Sequence, residues 1–121
     1  MPPTKIVIYQ ESKDNVPLND WLATLPRRVR ARCDTKMALL AANGHELRRP
    51  HADYLRDGVY ELRVGFAGKN YRILYAFIGH QVVLLTHGLV KESRVPSAEI
   101  DKAILCKTKW EANRTTHTYK E

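Results

Sequence analysis

Arg63, Arg72, His87 and Lys91 are the residues of this chain best placed to do chemistry, because they punctuate three otherwise hydrophobic segments, 59–66, 70–78 and 81–91. Two guanidinium groups on neighbouring strands could grip a phosphate through paired hydrogen bonds and stabilise the negative charge of a phosphorane-like transition state. His87 or Lys91 could then move protons. RNA cleavage through the substrate's own 2′-hydroxyl needs a base, a charge stabiliser and an acid for the leaving oxygen, and it needs no metal. The competing readings are structural: an ion pair of Arg63 with Glu61 or another acid, a similar pairing for Arg72, a satisfied polar role for His87, and a solvated strand end at Lys91 and Arg94. Lys69, in the turn before the second strand, and Arg94, after the last, are candidate RNA contacts. Tyr54, in the segment before the first strand, could stack on a base.

The strands must bring these groups together. Pairing Phe66 with Tyr71 sets Val64 against Ile73, Gly65 against Arg72 and Arg63 against Leu74. A turn at Gly79-His80 pairing Ile78 with Gln81 would set Tyr75 against Leu84 and Arg72 against His87. One face then collects Tyr60, Leu62, Val64, Phe66, Ile73, Tyr75, Phe77, Val82 and Leu84, an apolar surface for helices to cover. The other, open face collects Glu61, Arg63, Arg72, His87 and Lys91, with Leu74 and Leu85 among them. A slip of one residue would bury the charges, so register is strongly specified.

Residues 5–9 read as a short strand able to join the sheet. Asn15-Val-Pro17 opens a helix with Leu18, Trp21, Leu22 and Leu25 at helical spacing, and Pro26 ends or restarts it. Over 27–42, Val29, Cys33, Met37, Leu40 and Ala41 form one stripe, with Arg27, Arg28, Arg32 and Lys36 largely away from it. The Arg27 to Arg32 run reads as a solvated helix face, with contact to an acidic partner or ribosomal RNA as the alternative. Asn43-Gly44 stops the helix, giving an αα-hairpin on the sheet. Residues 45–58 lack a period and read as an ordered loop closed by Asp57-Gly58. A final helix begins at Pro96, with Ile100, Ala103, Ile104 and Lys107 at helical spacing. The tail after Trp110 reads as polar and frayed.

The chain of 121 residues suits a single domain, 1–121, with one modest core. Its net charge of +7 favours anionic partners. Absence of a signal-peptide pattern or a bilayer-length apolar run points to a cytoplasmic protein and to no membrane partner. Cys33 and Cys106 have no metal-ligand or redox spacing, and no phosphate-binding glycine loop, Gly-x-Ser-x-Gly or His-Glu-x-x-His motif occurs. Neither a metal nor a cofactor is therefore expected.

The ordered series Leu47-Arg-Arg-Pro50, Leu55-Arg-Asp-Gly-Val-Tyr-Glu-Leu-Arg63, Tyr71-Arg-Ile-Leu-Tyr75, Val83-Leu-Leu-Thr-His-Gly-Leu-Val-Lys91 and the helix after Pro96 resembles the phage-derived HigB-like toxins of the RelE superfamily. The resemblance spans nearly the whole chain. It implies an α/β (α+β) fold of RelE-like type: a small, mainly antiparallel sheet with an N-terminal αα-hairpin and a C-terminal helix. It further implies a type II toxin, a metal-independent endoribonuclease that cuts mRNA on the ribosome and is neutralised by a cognate antitoxin, often a helix-turn-helix DNA-binding protein, in an oligomeric complex. Carried over by position, the functional cations would be Arg63, Arg72 and Lys91. Many relatives follow that lysine with a second basic residue, where this chain has Glu92. The alternative class is a non-catalytic basic module, binding RNA or an antitoxin.

Overall fold

The computed structural model describes residues 4–120. In chain order the elements are β1 (Lys5–Ile8), α1 (Pro17–Ala23), α2 (Arg27–Asn43), β2 (Ala52–Arg56), β3 (Val59–Phe66), β4 (Lys69–Ile78), β5 (Val82–Val90), α3 (Ser97–Ala112) and α4 (Arg114–His117). The five strands form one mixed sheet in the order β1-β5-β4-β3-β2, antiparallel except where β1 runs parallel to β5. This mixed α/β architecture, with its N-terminal helix pair and C-terminal helix, is compatible with a RelE-like fold.

Two segments differ from the sequence reading. Residues 45–58 are not all loop: β2 pairs Ala52 with Leu62 and Tyr54 with Tyr60. Asp57 and Gly58, with φ of 51° and 82°, make the two-residue turn that joins β2 to β3. Five residues that include Asp53 and Arg56 are too short and too polar to register as a strand by alternation alone. Nor is the tail frayed. After α4, Thr118 bridges Tyr9, and the Tyr119 N–H donates to the Ile8 carbonyl at 2.9 Å. The Trp110 indole N–H donates to Thr118 Oγ1 at 2.8 Å, and the His117 ring stacks on Tyr9 at 5.4 Å. The tail is therefore tied to the free edge of β1.

Register decides what faces the site. The β3–β4 connection is a two-residue turn, Ala67-Gly68, with φ of 51° and 80°. A shorter turn than expected shifts the pairing by two, which leaves every side chain on its expected face but sets Arg63 directly opposite Arg72. The next connection uses three residues, and the pairing starts at Ile78 with Val82. This one-residue difference reverses the start of β5: Val83 and Leu85, rather than Val82 and Leu84, join the helix-covered core. A β-bulge at Thr86 then restores the expected parity, so that His87 lies opposite Leu74 and Leu89 opposite Arg72.

Both faces are covered. On one, Leu18 of α1 and Val29, Cys33 and Leu40 of α2 pack on Leu62, Val64, Ile73, Tyr75, Val83 and Leu85. Trp21 sits against the bare backbone of Gly88, where a methyl group would collide with the indole. On the other face, expected to be open, α3 packs Ile100 and Ala103 on Val59 and Leu74, and Cys106 and Trp110 on Val7 and Leu84. The charged residues are thereby confined to the part of this face that α3 leaves uncovered.

His87 falls under the helix. It is 3 % exposed, its Nδ1 lies 3.0 Å from Thr86 Oγ1, and its Nε2 has no hydrogen-bond partner among the described residues and sits 3.8 Å from Glu99 Oε1. Burial, with Lys102 adding repulsion, pushes its pKa down to about 4.

Truncation of the buried aliphatics Leu62 and Ile73 to alanine should each lower stability by about 2–5 kcal/mol in chemical denaturation; an unchanged midpoint would mean the helix-covered face is misassigned. For His87 the folded pKa lies below the unfolded one, so the unfolded state binds the proton first as pH falls. Its contribution is complete above about 6.5 and is lost progressively toward about 4. Between about pH 7 and 5, His87→Phe should therefore lose roughly 1–2 kcal/mol less stability than the wild type. Parallel pH dependences would show that His87 does not carry this term.

Candidate functional site

Glu61, Arg63 and Arg72 occupy the part of the sheet face that α3 leaves free. Alternation along β3 puts Glu61 and Arg63 on the same face two residues apart, and the β3–β4 register brings Arg72 alongside. Glu61 is 1 % exposed. Its carboxylate accepts from Arg72 Nη1 at 2.7 and 2.6 Å and from Arg63 Nε at 2.9 Å. A carboxylate this deep is stable only when paired and fully hydrogen-bonded, and here two guanidinium groups do both.

Each arginine has a second anchor. Arg72, 9 % exposed, donates through Nη2 to the Ser93 carbonyl at 3.0 Å, which ties the strand to the segment leading into α3. Arg63 reaches Asp53 of β2 at 3.3 Å, and its side chain remains 38 % exposed. Asp53 faces Glu61 across the β2–β3 pair, an unfavourable apposition of like charges that the cations offset. Arg49 donates to Asp53 Oδ2 at 3.0 and 2.7 Å, and it is the first cause holding the Asp53 carboxyl below its ordinary range.

These residues floor a cleft of ≈ 610 Å³ between the sheet and the start of α3. Arg56 fixes that wall: its guanidinium donates to Ser97 Oγ at 2.6 Å, to Asp101 at 2.8 Å and to Asp57 at 2.7 Å. Arg56, Arg63, Arg72 and Arg94 line the cleft against Asp53, Glu61 and Glu92. The cleft is therefore nearly charge-compensated. Arg94 makes no ion pair among the described residues, and Arg63 is half-exposed, so these two can turn donors toward an incoming anion.

The structure thus brings together Arg63, Arg72 and Arg94 of the predicted set. Lys91 and Lys69 are exposed at the β3–β4 turn end of the sheet, outside the cleft lining; the Lys91 N–H donates to the Asn70 carbonyl at 3.0 Å. His87 is not with them, because α3 covers it. Tyr54 is on the opposite face, 53 % exposed and edge-on to Tyr60 at 5.0 Å, since alternation along β2 turns Asp53 to the cleft and Tyr54 away. The sequence reading allowed an ion pair to Arg63, with Glu61 or another acid, and a similar one to Arg72, but did not put both arginines on one carboxylate, and it missed Asp53 and Arg56. Glu61, at the same parity as Arg63, was visible; its sharing with Arg72 follows from the register.

No curated protein matches the chain significantly. Residues 20–106, which run from within α1 through most of α3 and include every cleft residue, match the family described as Phage derived protein Gp49-like (DUF891). With its mixed α/β sheet and its paired cleft arginines, the chain belongs to this phage-derived Gp49-like family, whose members are of the RelE/HigB-like toxin kind.

Proposed function

We propose that this protein is the toxin of a type II toxin–antitoxin pair and acts as a ribosome-dependent mRNA endoribonuclease. The observation that carries the reading is the cross-strand pair Arg63–Arg72, fixed around buried Glu61 on the floor of a cleft large enough for a nucleotide. Family membership supports the same reading. The partners it implies are mRNA on the ribosome and a cognate antitoxin of the helix-turn-helix DNA-binding kind.

The two arginines divide the work. Arg63 is the exposed member and presents its guanidinium edge to a scissile phosphate, with Arg94 as a second donor. As the substrate 2′-hydroxyl gives its proton to water and its oxygen attacks phosphorus, the P–O5′ bond breaks and the departing 5′-oxygen takes a proton from water; charge builds on the non-bridging oxygens, and a cation already held in place stabilises it without reorganisation. Arg72 is a positioning residue: it neutralises Glu61 and grips the Ser93 carbonyl, and so fixes both Arg63 and the cleft wall. Glu61 acts through the arginines in the same way. Lys91, on the cleft side of the sheet by alternation from Leu89, adds positive potential where an RNA strand would approach past Gly65. A methyl at Gly65 would meet nothing within 4 Å, so that approach is open.

A second reading, a non-catalytic RNA- or antitoxin-binding module, draws on the near balance of charge in the cleft. Growth on expressing the chain without an antitoxin separates them: arrest accompanied by mRNA cleavage supports the toxin, and normal growth at high expression supports the module. Arg63→Ala should cut ribosome-dependent cleavage by about 10²-fold or more while leaving thermal unfolding nearly unchanged. Arg72→Ala should instead cost about 3–5 kcal/mol of stability, because it strands a buried carboxylate. Equal effects of the two substitutions on stability would undo this division. Since arginine charge does the work assigned elsewhere to a metal, chelation of divalent ions should leave cleavage intact on ribosomes whose integrity is held by polyamines. Loss of activity reversed by added metal would refute the mechanism.

A further inference from the structure

Positive surface continues from the cleft around the β2–β3 side of the molecule. Arg28, Arg32 and Lys36 recur every four residues along α2, on one flank of its buried stripe. The Arg32 guanidinium lies 4.9 Å above the centroid of the half-buried Phe66 ring, near the end of β3. Lys36 Nζ lies 2.8 Å from Nδ1 of His51. An ammonium can only donate, so Nδ1 accepts and the remaining ring proton is on Nε2, a free donor direction.

This strip has unmet demand for negative charge. Neither Arg32 nor Lys36 has a carboxylate partner among the described residues. Burial, with the Arg32 charge nearby, holds the Lys36 pKa below its ordinary value, and the charge of a bound anion would offset these effects by attraction. The strip adjoins the cleft around the edge of the sheet: Phe66 and α2 lie on the helix-pair face and the cleft on the α3 face, and the Arg63 N–H donates to the His51 carbonyl at 2.7 Å, which places His51 beside the strand residue whose side chain lines the cleft.

We propose that single-stranded RNA seated at Arg63 continues over this strip, placing a phosphate at the Lys36–His51 pair and a base against the Arg32–Phe66 stack. The inference rests on reading the cleft as an RNA site. Cations that follow a backbone, interleaved with an aromatic face, are what sequence-tolerant single-strand binding requires. An acidic peptide would satisfy the cations but leaves the aromatic stack without a role.

The test is fluorescence anisotropy of the full chain, without ribosomes, with 2′-O-methyl RNAs that cannot be cleaved, of about four and about ten nucleotides. The longer RNA should bind wild type more tightly. Lys36→Met and His51→Gln should each weaken the longer RNA by roughly three- to tenfold at low salt, and Lys36→Met should lower the salt slope by about one. Both should leave the shorter RNA unaffected. Equal affinity of the two RNAs for wild type, or no change in the variants, overturns the strip, as does selective loss of binding to an acidic peptide. Arg63→Ala should weaken both RNAs. If it weakens neither while Lys36→Met still affects the longer one, the cleft reading fails and the strip stands.

Discussion

A carboxylate in the middle of a sheet is tolerated only while cations from neighbouring strands stay closed on it, and Glu61 has two of them. The arrangement couples parts of the chain distant in sequence. Asp53 reaches in through Arg63, and the Ser93 carbonyl through Arg72, so β2, β3, β4 and the segment before α3 converge on one charge centre. Removing Glu61 or Arg72 would leave an opposite charge in a poorly solvated place, with a larger penalty than a surface ion pair could incur. The exposed edge of Arg63 therefore inherits its rigidity from interactions that never touch substrate.

That convergence depends on backbone details with no side-chain chemistry of their own. Ala67 takes a left-handed conformation that alanine adopts only under tertiary constraint, and in doing so makes a turn short enough to set Arg63 opposite Arg72. Farther along, Thr86 absorbs one residue in the β4–β5 ladder. Before it, Leu84 faces α3 and Leu85 the helix pair; after it, His87 and Leu89 face the α3 side. A single inserted residue lets β5 serve a two-layer core along half its length and border the cleft along the other half.

The sequence made the faces of β3 and β4 legible because alternation survives a two-residue error in register: Leu62, Val64, Ile73 and Tyr75 are buried as expected, and Arg63 and Arg72 share the opposite side. It did not reveal the start of β5, where a turn one residue longer reverses the parity of Val82 through Leu85. Nor did periodicity show that α3 would cover part of the basic face. That depends on where a helix docks, and the stripe Ile100, Ala103, Cys106, Trp110 fits either side of the sheet. His87 was therefore grouped with the arginines by parity, correctly, yet separated from them by burial. Tyr54 was read as part of a loop, because a short charged edge strand leaves little periodic signal.

The attachment of the C-terminal residues to β1 has a consequence for self-association. β1 is the last strand on its side of the sheet, and an uncovered edge of Lys5, Ile6, Val7 and Ile8 would offer unpaired backbone groups beside aliphatic side chains, a template for strands of other chains. Thr118 and Tyr119 occupy the Ile8 end of that edge, clamped by the Trp110–Thr118 hydrogen bond and the His117–Tyr9 stack. Lys5 adds charge at the other end. Protection of this edge against pairing with other chains therefore resides in Thr118 and Tyr119, and anything that peels them away turns a closed edge into an adhesive one.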